Sequence, residues 1–278
     1  MVDPFIGSEA VASGRLSPYA LRSRFVAMCP DVYVQTNTEV TAVTRAKAAW
    51  LWSRRQGVVA GQSAAALHGA KWVDAQRPAE VLWPNRRPPA GIRAWSDRFS
   101  DDEVEVIGGI RVTTPARTAL DLACRYPHGA AVAAIDALAR ATHLKMVDVE
   151  LLADRYAGRR GIRKARSVLV LVDSGAESPR ETWLRLLVIR NGFPRPQTQI
   201  PVYDQYGALI AVLDMGWEDV KIALDYEGEH HRNPVRFNKD IRRHDDVTDL
   251  GWTDIRVTSQ DTEGGIIGRL TTAWRRRT

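Results

Sequence analysis

The sequence predicts a multi-domain α/β protein. A winged helix-turn-helix is expected over 1–42, a mixed α+β region ending in helices over 43–173, and an α/β sandwich over 174–278. Three observations predict this. Helical and strand periodicities alternate along all 278 residues, a length that suggests two or three compact units. The small, polar stretch "DSGAES" at 173–178 interrupts them. The charge balance also changes there: residues 1–176 hold 24 Lys and Arg against 17 Asp and Glu, whereas residues 177–278 hold 15 against 16. A basic excess at the front favours an anionic partner for that part.

The first elements form a short helical pair and an extended ribbon. "SEAVASG" reads as a helix closed by Gly14. "LSPYALRSRF" opens with Ser17 at an N-cap and Pro18 at the first helical position, a pairing that satisfies one orphan N–H and presets φ. In "MCPDVYVQT", Val32 and Val34 alternate against Tyr33 and Gln35, a strand pattern. Helix, glycine turn, helix and ribbon is the order of a winged helix-turn-helix. Its second helix would carry Ser17, Tyr19, Arg22 and Arg24 into a DNA groove, with basic groups on phosphates or guanines.

In the middle region, "RAKAAWLWSRRQG" and "GQSAAALHGAKWV" read as helices ending at Gly57 and Gly69, with His68 a structural histidine before the second stop. Strands follow in "AEVLWP", "GIRAWSD", "VEVI" and "IRVT", the last two joined at Gly108-Gly109, a hairpin turn. "TTPARTALDLACR" starts at Thr114 and Pro115, and three more apolar-faced helices run to about residue 172. No apolar run approaches the ~20 residues of a membrane span, and "MVDPFIGSEA" lacks the order of a signal peptide. Cys29 and Cys124 match no metal spacing and read as reduced, buried small hydrophobes. The expectation is a cytoplasmic protein with no membrane contact.

The last region begins with a helix capped by Ser178 and Pro179, carries Glu181 in its first turn and stops at Asn191-Gly192. Two strands, a helix stopped by Gly251, the strand "TDIRVTS" and a terminal helix complete it. The acids concentrate in "ALIAVLDMGWEDVKIALDYEGEHH". A hairpin centred on Glu218-Asp219 sets Asp214 opposite Ala223. Lys221, Ala223, Asp225 and Glu227 then share a face, and Asp214 joins it diagonally to Asp225. Three such carboxylates repel unless a cation lies between them, and hard oxygen ligands select Mg²⁺ or Mn²⁺. That ion would polarise a phosphoryl oxygen and acidify a water, His230 or His231 would move protons, and Glu181 would add a further acid.

"SPRETWLRLLVIRNGFPRPQTQIPV…LDMGW…IALDYEGEHHR…FNKDIRRHDDVTDLGWTDIRVT" resembles the very-short-patch-repair-like branch of the PD-(D/E)xK nucleases over about the last hundred residues. The resemblance implies a restriction-endonuclease-like sandwich that hydrolyses DNA phosphodiesters. Asp214, Asp225, Glu227, His231 and Glu181 would form its active constellation, with Asp240 and Arg243 as structural support. The family's Glu-x-Asp stands here as Asp225-x-Glu227, and the superfamily lysine is absent after Glu227. The front half, through "SAAALHG" and "TTPARTALDLA", is similar to the AbiEi-type antitoxin/regulator family. That similarity implies promoter binding by the first domain, with a cognate toxin or a second copy of the chain as further partner. Two functions are therefore expected. One is a Mg²⁺- or Mn²⁺-dependent endonuclease; the other is an antitoxin-like transcriptional regulator whose nuclease fold is inactive.

Overall fold

The computed structural model describes residues 3–85, 87–227 and 245–277. It is a mixed α/β protein in two compact units, Met1–Val172 and Asp173–Thr278.

The first unit opens with β1 (Phe5–Ile6), α1 (Gly7–Ala12), α2 (Pro18–Arg24), β2 (Phe25–Cys29) and β3 (Val32–Gln35). The strands form an antiparallel sheet in the order β1-β3-β2. The expected caps hold: the Ser17 hydroxyl accepts from the Ala20 N–H at 3.1 Å, and Pro18 follows it. The extended segment is longer than expected, since "FVAMC" is also a strand. The next helix, α3 (Ala42–Trp52), follows the expected 42/43 boundary yet packs on this sheet. Ala48, Ala49 and Leu51 share an apolar cluster with Ile6, Cys29 and Val32.

A second sheet takes the order β6-β5-β4-β8-β7, from β4 (Val58–Val59), β5 (Ala79–Leu82), β6 (Ile92–Trp95), β7 (Val104–Ile107) and β8 (Ile110–Thr113). The β7–β8 hairpin turns on Gly108 (φ 55) and Gly109 (φ 82), a conformation that glycine takes without strain, and Ile107 pairs Ile110. Helix α4 (Gly61–Leu67) joins β4 to β5. Its N-cap is Ala60, and the nearby Ser63 hydroxyl accepts from the Glu80 N–H instead. Four helices follow: α5 (Pro115–Arg125), α6 (His128–Thr142), α7 (Met146–Arg155) and α8 (Ile162–Leu169). Helix α5 is buried from Arg117 to Cys124, because the other three surround it.

The second unit contains α9 (Pro179–Arg190), β9 (Gln197–Tyr203), β10 (Leu209–Trp217), β11 (Ile222–Glu227), β12 (Thr253–Thr258) and α10 (Glu263–Arg275). Three strands, not two, follow α9 before the Gly251 stop, and the sheet order is β12-β11-β10-β9. Neighbours are antiparallel except β11 and β12, which run parallel. Helices α9 and α10 bury Leu184, Leu187, Val188, Ile266 and Leu270 against Met215, Leu224 and Val257. Each fully buried chain of this size contributes about 1.5–3 kcal/mol of transfer free energy. A second cluster joins Ile200, Leu213 and Ala223 to Val247 and Trp252.

Leu213 and Met215, two residues apart, thus belong to different clusters, although alternation would put them on one face. The change falls at Asp214. Opposite it, between the pairs Leu213↔Ile200 and Met215↔Thr198, Gln199 is in the left-handed region at φ 53.

Candidate functional site

Helix α2 buries none of its residues. Tyr19 is 76% exposed, and Arg22 and Arg24 stand in solvent. Neither arginine makes an ion pair or side-chain hydrogen bond among the described residues. The acids around them are already engaged. Arg55 grips Glu9 with two bonds of 2.6 and 2.7 Å. Asp31 accepts from Arg54 at 2.8 Å and from both the N–H and hydroxyl of Ser8. Lys47 holds Asp3 at 2.6 Å. The Arg55 guanidinium holds the Glu9 carboxyl below its usual range. The Ser8 and Arg54 donors do the same for Asp31, outweighing its partial desolvation. The positive charge of α2 is left uncompensated among the described residues: Arg22 and Arg24 are exposed cations two positions apart on the helix, and Tyr19 stands one turn before Arg22. Ser17 is committed to the cap.

The carboxylates come together differently from expectation. The turn is four residues long, Glu218 to Lys221, with Lys221 at φ 48 and its N–H on the Glu218 carbonyl. The register therefore shifts by two: Gly216 pairs Ala223 and Met215 pairs Leu224. Continued one step, it sets Asp214 directly opposite Asp225 rather than Ala223. An even shift preserves faces, so the two acids still share one. Each carboxylate takes a backbone donor of the other strand: the Asp214 N–H donates to Asp225 Oδ1 and the Tyr226 N–H to Asp214 Oδ2, both at 2.8 Å. Lys221 leaves the acid face for the turn, where its ammonium donates to the Leu250 carbonyl.

Glu227 has another partner. Arg256, on the neighbouring β12, holds its carboxylate at 2.9 Å, and Arg256 also approaches Asp254 at 3.4 Å. Glu181 is buried in the first turn of α9, where Oε2 accepts the Glu177 N–H at 2.7 Å and the Ser178 hydroxyl accepts from the Glu181 N–H. That is helix capping. His230, His231, Asp240 and Arg243 lie outside the described residues. Among the described residues no group of three His, Cys, Asp or Glu side chains is disposed to hold a metal ion. Among the described residues Asp214 and Asp225 face each other, while the Glu227 carboxylate is held by Arg256.

Sequence reasoning missed a charge network in the helical end of the first unit. Arg117 is fully buried and donates through Nε to both oxygens of Asp121 at 3.1 and 3.2 Å, and through Nη1 to Glu103. Tyr156 donates its hydroxyl to Glu103 at 2.8 Å, and Arg159 reaches Asp97 and Asp121 through Nη2. The local signal was present: Arg117 and Asp121 lie four apart in a largely apolar helix. Their partners are distant in sequence. His68, read as structural, has its ring Nε2 2.8 Å from the Thr113 carbonyl oxygen.

Residues 57–173 match the family model described as the AbiEi antitoxin C-terminal domain. Both segments that suggested this family, "SAAALHG" and "TTPARTALDLA", fall inside the match, which does not reach residues 174–278. Two uncharacterized proteins of Mycobacterium tuberculosis, one from strain CDC 1551 and one from strain H37Rv, are 33% identical to this chain over 156 residues. The alignment covers 56% of this chain and 57% of each relative, so the chain spans little more than half the length of the curated proteins it matches. No solved structure matches the chain significantly. No helix among the described residues is long and apolar enough to cross a membrane.

Proposed function

We propose that the chain is an antitoxin-like regulator that binds duplex DNA through α2. In this reading residues 1–42 act as a winged helix-turn-helix, 43–173 as the antitoxin-like domain, and 174–278 as a nuclease-like fold that does not cut. One observation carries it: Tyr19, Arg22 and Arg24 are exposed on one short helix while Glu9, Asp31 and Asp3 are neutralised by other cations. Two further observations support it. A short helix followed by a β-hairpin, with sheet order β1-β3-β2, suits a recognition helix flanked by a wing. The family match over 57–173 supports the antitoxin half and, with it, a cognate toxin or a second copy as partner. Arg22 and Arg24 would meet phosphates or guanines, Tyr19 a sugar or phosphate, and Ser17 would fix the start of the helix.

A second reading, metal-dependent cutting of DNA, rests on the facing pair Asp214 and Asp225. It would recruit Glu227, Glu181, His230 and His231, with Mg²⁺ or Mn²⁺. Supercoiled plasmid incubated with the chain and either ion separates the two. Retarded but intact plasmid supports the regulator. Cutting that disappears in Asp214→Ala selects the nuclease.

A further inference from the structure

We infer that a second contact to duplex DNA is made by the turn at 35–38, beside the end of α2, with Gln35 and Asn37 as its sequence-reading side chains. The tip of the β2–β3 hairpin, at 30–31, makes none. The inference rests on the proposal that α2 binds duplex DNA, and it assigns residues which that proposal leaves out.

The tip is already engaged by protein. The hairpin turns at Pro30 and Asp31, between β2 and β3. The Asp31 carbonyl accepts the Gly7 N–H at 2.9 Å. Its carboxylate accepts from the Ser8 N–H and hydroxyl at 2.8 and 2.5 Å, and from Arg54 at 2.8 Å. The approach is close: a Cβ at Gly7 would stand 2.5 Å from the Tyr33 ring. Strand β1 pairs with the same half of β3, through Phe5↔Tyr33 and Ile6↔Val32. The tip therefore meets the start of α1 and the residues just after α3. Strand β2 is five residues long, which sets the tip about 13 Å from the end of α2.

The open end of the hairpin lies beside α2. There Phe25 pairs Gln35, and the β1 register stops at Tyr33. The Thr36 N–H donates to the carbonyl of Arg24, the last residue of α2, at 2.9 Å. The Thr38 N–H donates to the Gln35 carbonyl at 3.1 Å, and Asn37 turns the corner at φ 70, a conformation that Asn tolerates. The turn is thus fastened to the helix that carries Arg22 and Arg24. Gln35, Thr36 and Asn37 are exposed, and none of their side chains makes a hydrogen bond or ion pair among the described residues. A carboxamide offers a donor and an acceptor side by side, the pattern that N6 and N7 of adenine complete in the major groove. Being neutral, such contacts add sequence preference without adding to counterion release. Glu39, exposed just beyond, would repel phosphate and limits this surface to the residues before it.

The test starts from a duplex that the wild-type chain selects out of a pool with a randomised core, with a shuffled duplex as reference. Fluorescence anisotropy on both compares wild type with the Gln35→Ala, Asn37→Gly double variant and with Pro30→Lys. Glycine at 37 keeps the left-handed turn and removes the amide. The double variant should lose about tenfold of its preference for the selected duplex, about 1.4 kcal/mol, with the salt slope and circular dichroism spectrum of wild type. Pro30→Lys adds a cation to the exposed tip and should leave the slope unchanged, because no phosphate comes within its reach. Wild-type preference in the double variant overturns the inference. So does a slope steeper by about 1 in Pro30→Lys, which would put phosphate at the tip. Either result leaves DNA binding through α2 standing, whereas a wild type that selects no duplex removes both.

Discussion

A backbone N–H at the open end of a strand pair must find an acceptor, and Asp225 supplies one to Asp214 while Asp214 supplies one to Tyr226. The pair is therefore structural before it is anything else. Asp225→Ala removes an acceptor from a half-buried N–H and should cost about 1–2 kcal/mol, whereas Asp225→Asn keeps an oxygen and should cost less. Chemical denaturation measures both, and an alanine variant with an unchanged midpoint contradicts the role. A second residue-scale prediction concerns Glu80. It is 1% exposed, and burial pushes its carboxyl above the usual range although Tyr126 donates to it at 2.6 Å and Gln62 at 2.8 Å. A raised folded-state pKa means the native state holds the proton more tightly. This contribution is present below the ordinary value of 4.5 and is lost as pH rises through the raised value. The stability of wild type relative to Glu80→Gln should fall across that window. A flat difference between their pH profiles would refute the assignment.

Helix α2 depends on its cap more than on packing, because it buries none of its residues. Ser17→Ala should cost about 1 kcal/mol and loosen the helix, read as faster amide exchange at Ala20 and Leu21. Unchanged exchange would show that the cap is dispensable. Cap and turn chemistry also marks what the sequence disclosed at this scale. Ser17-Pro18, Thr114-Pro115 and Ser178-Pro179 each start a helix as expected, since all three signals act within four residues. Gly108-Gly109 set the β7–β8 register for the same reason. Features fixed by distant contacts were not legible. The turn at Glu218–Lys221 is two residues longer than the apolar pattern suggested, because alternation is blind to an even shift. Strand β9 hides behind Pro201 and the left-handed Gln199. Apart from the Arg117–Asp121 pair, the Arg117 network joins positions 14 to 62 residues apart. At the site itself, the exposed cations of α2 were readable, but the diversion of Glu227 to Arg256 was not, because it comes from a parallel neighbour 29 positions away.

At the scale of the whole molecule, the front of the chain carries the basic excess and the family match, and α2 carries that charge in its most exposed form. Scattered solubilising charge would bind nucleic acid diffusely. A dedicated surface would lose most of its binding when two residues are changed. Because Arg22 and Arg24 are solvent-facing and make no ion pair among the described residues, their removal should leave stability within about 0.5 kcal/mol of wild type. The most direct test is the salt dependence of duplex binding by fluorescence anisotropy, comparing wild type with the Arg22→Ala, Arg24→Ala double variant. If α2 grips the phosphate backbone, the wild-type slope of log K against log salt should flatten by about 2 in the variant, with a large loss of affinity at moderate salt. Equal slopes and equal affinities in the two proteins would contradict DNA binding through this helix.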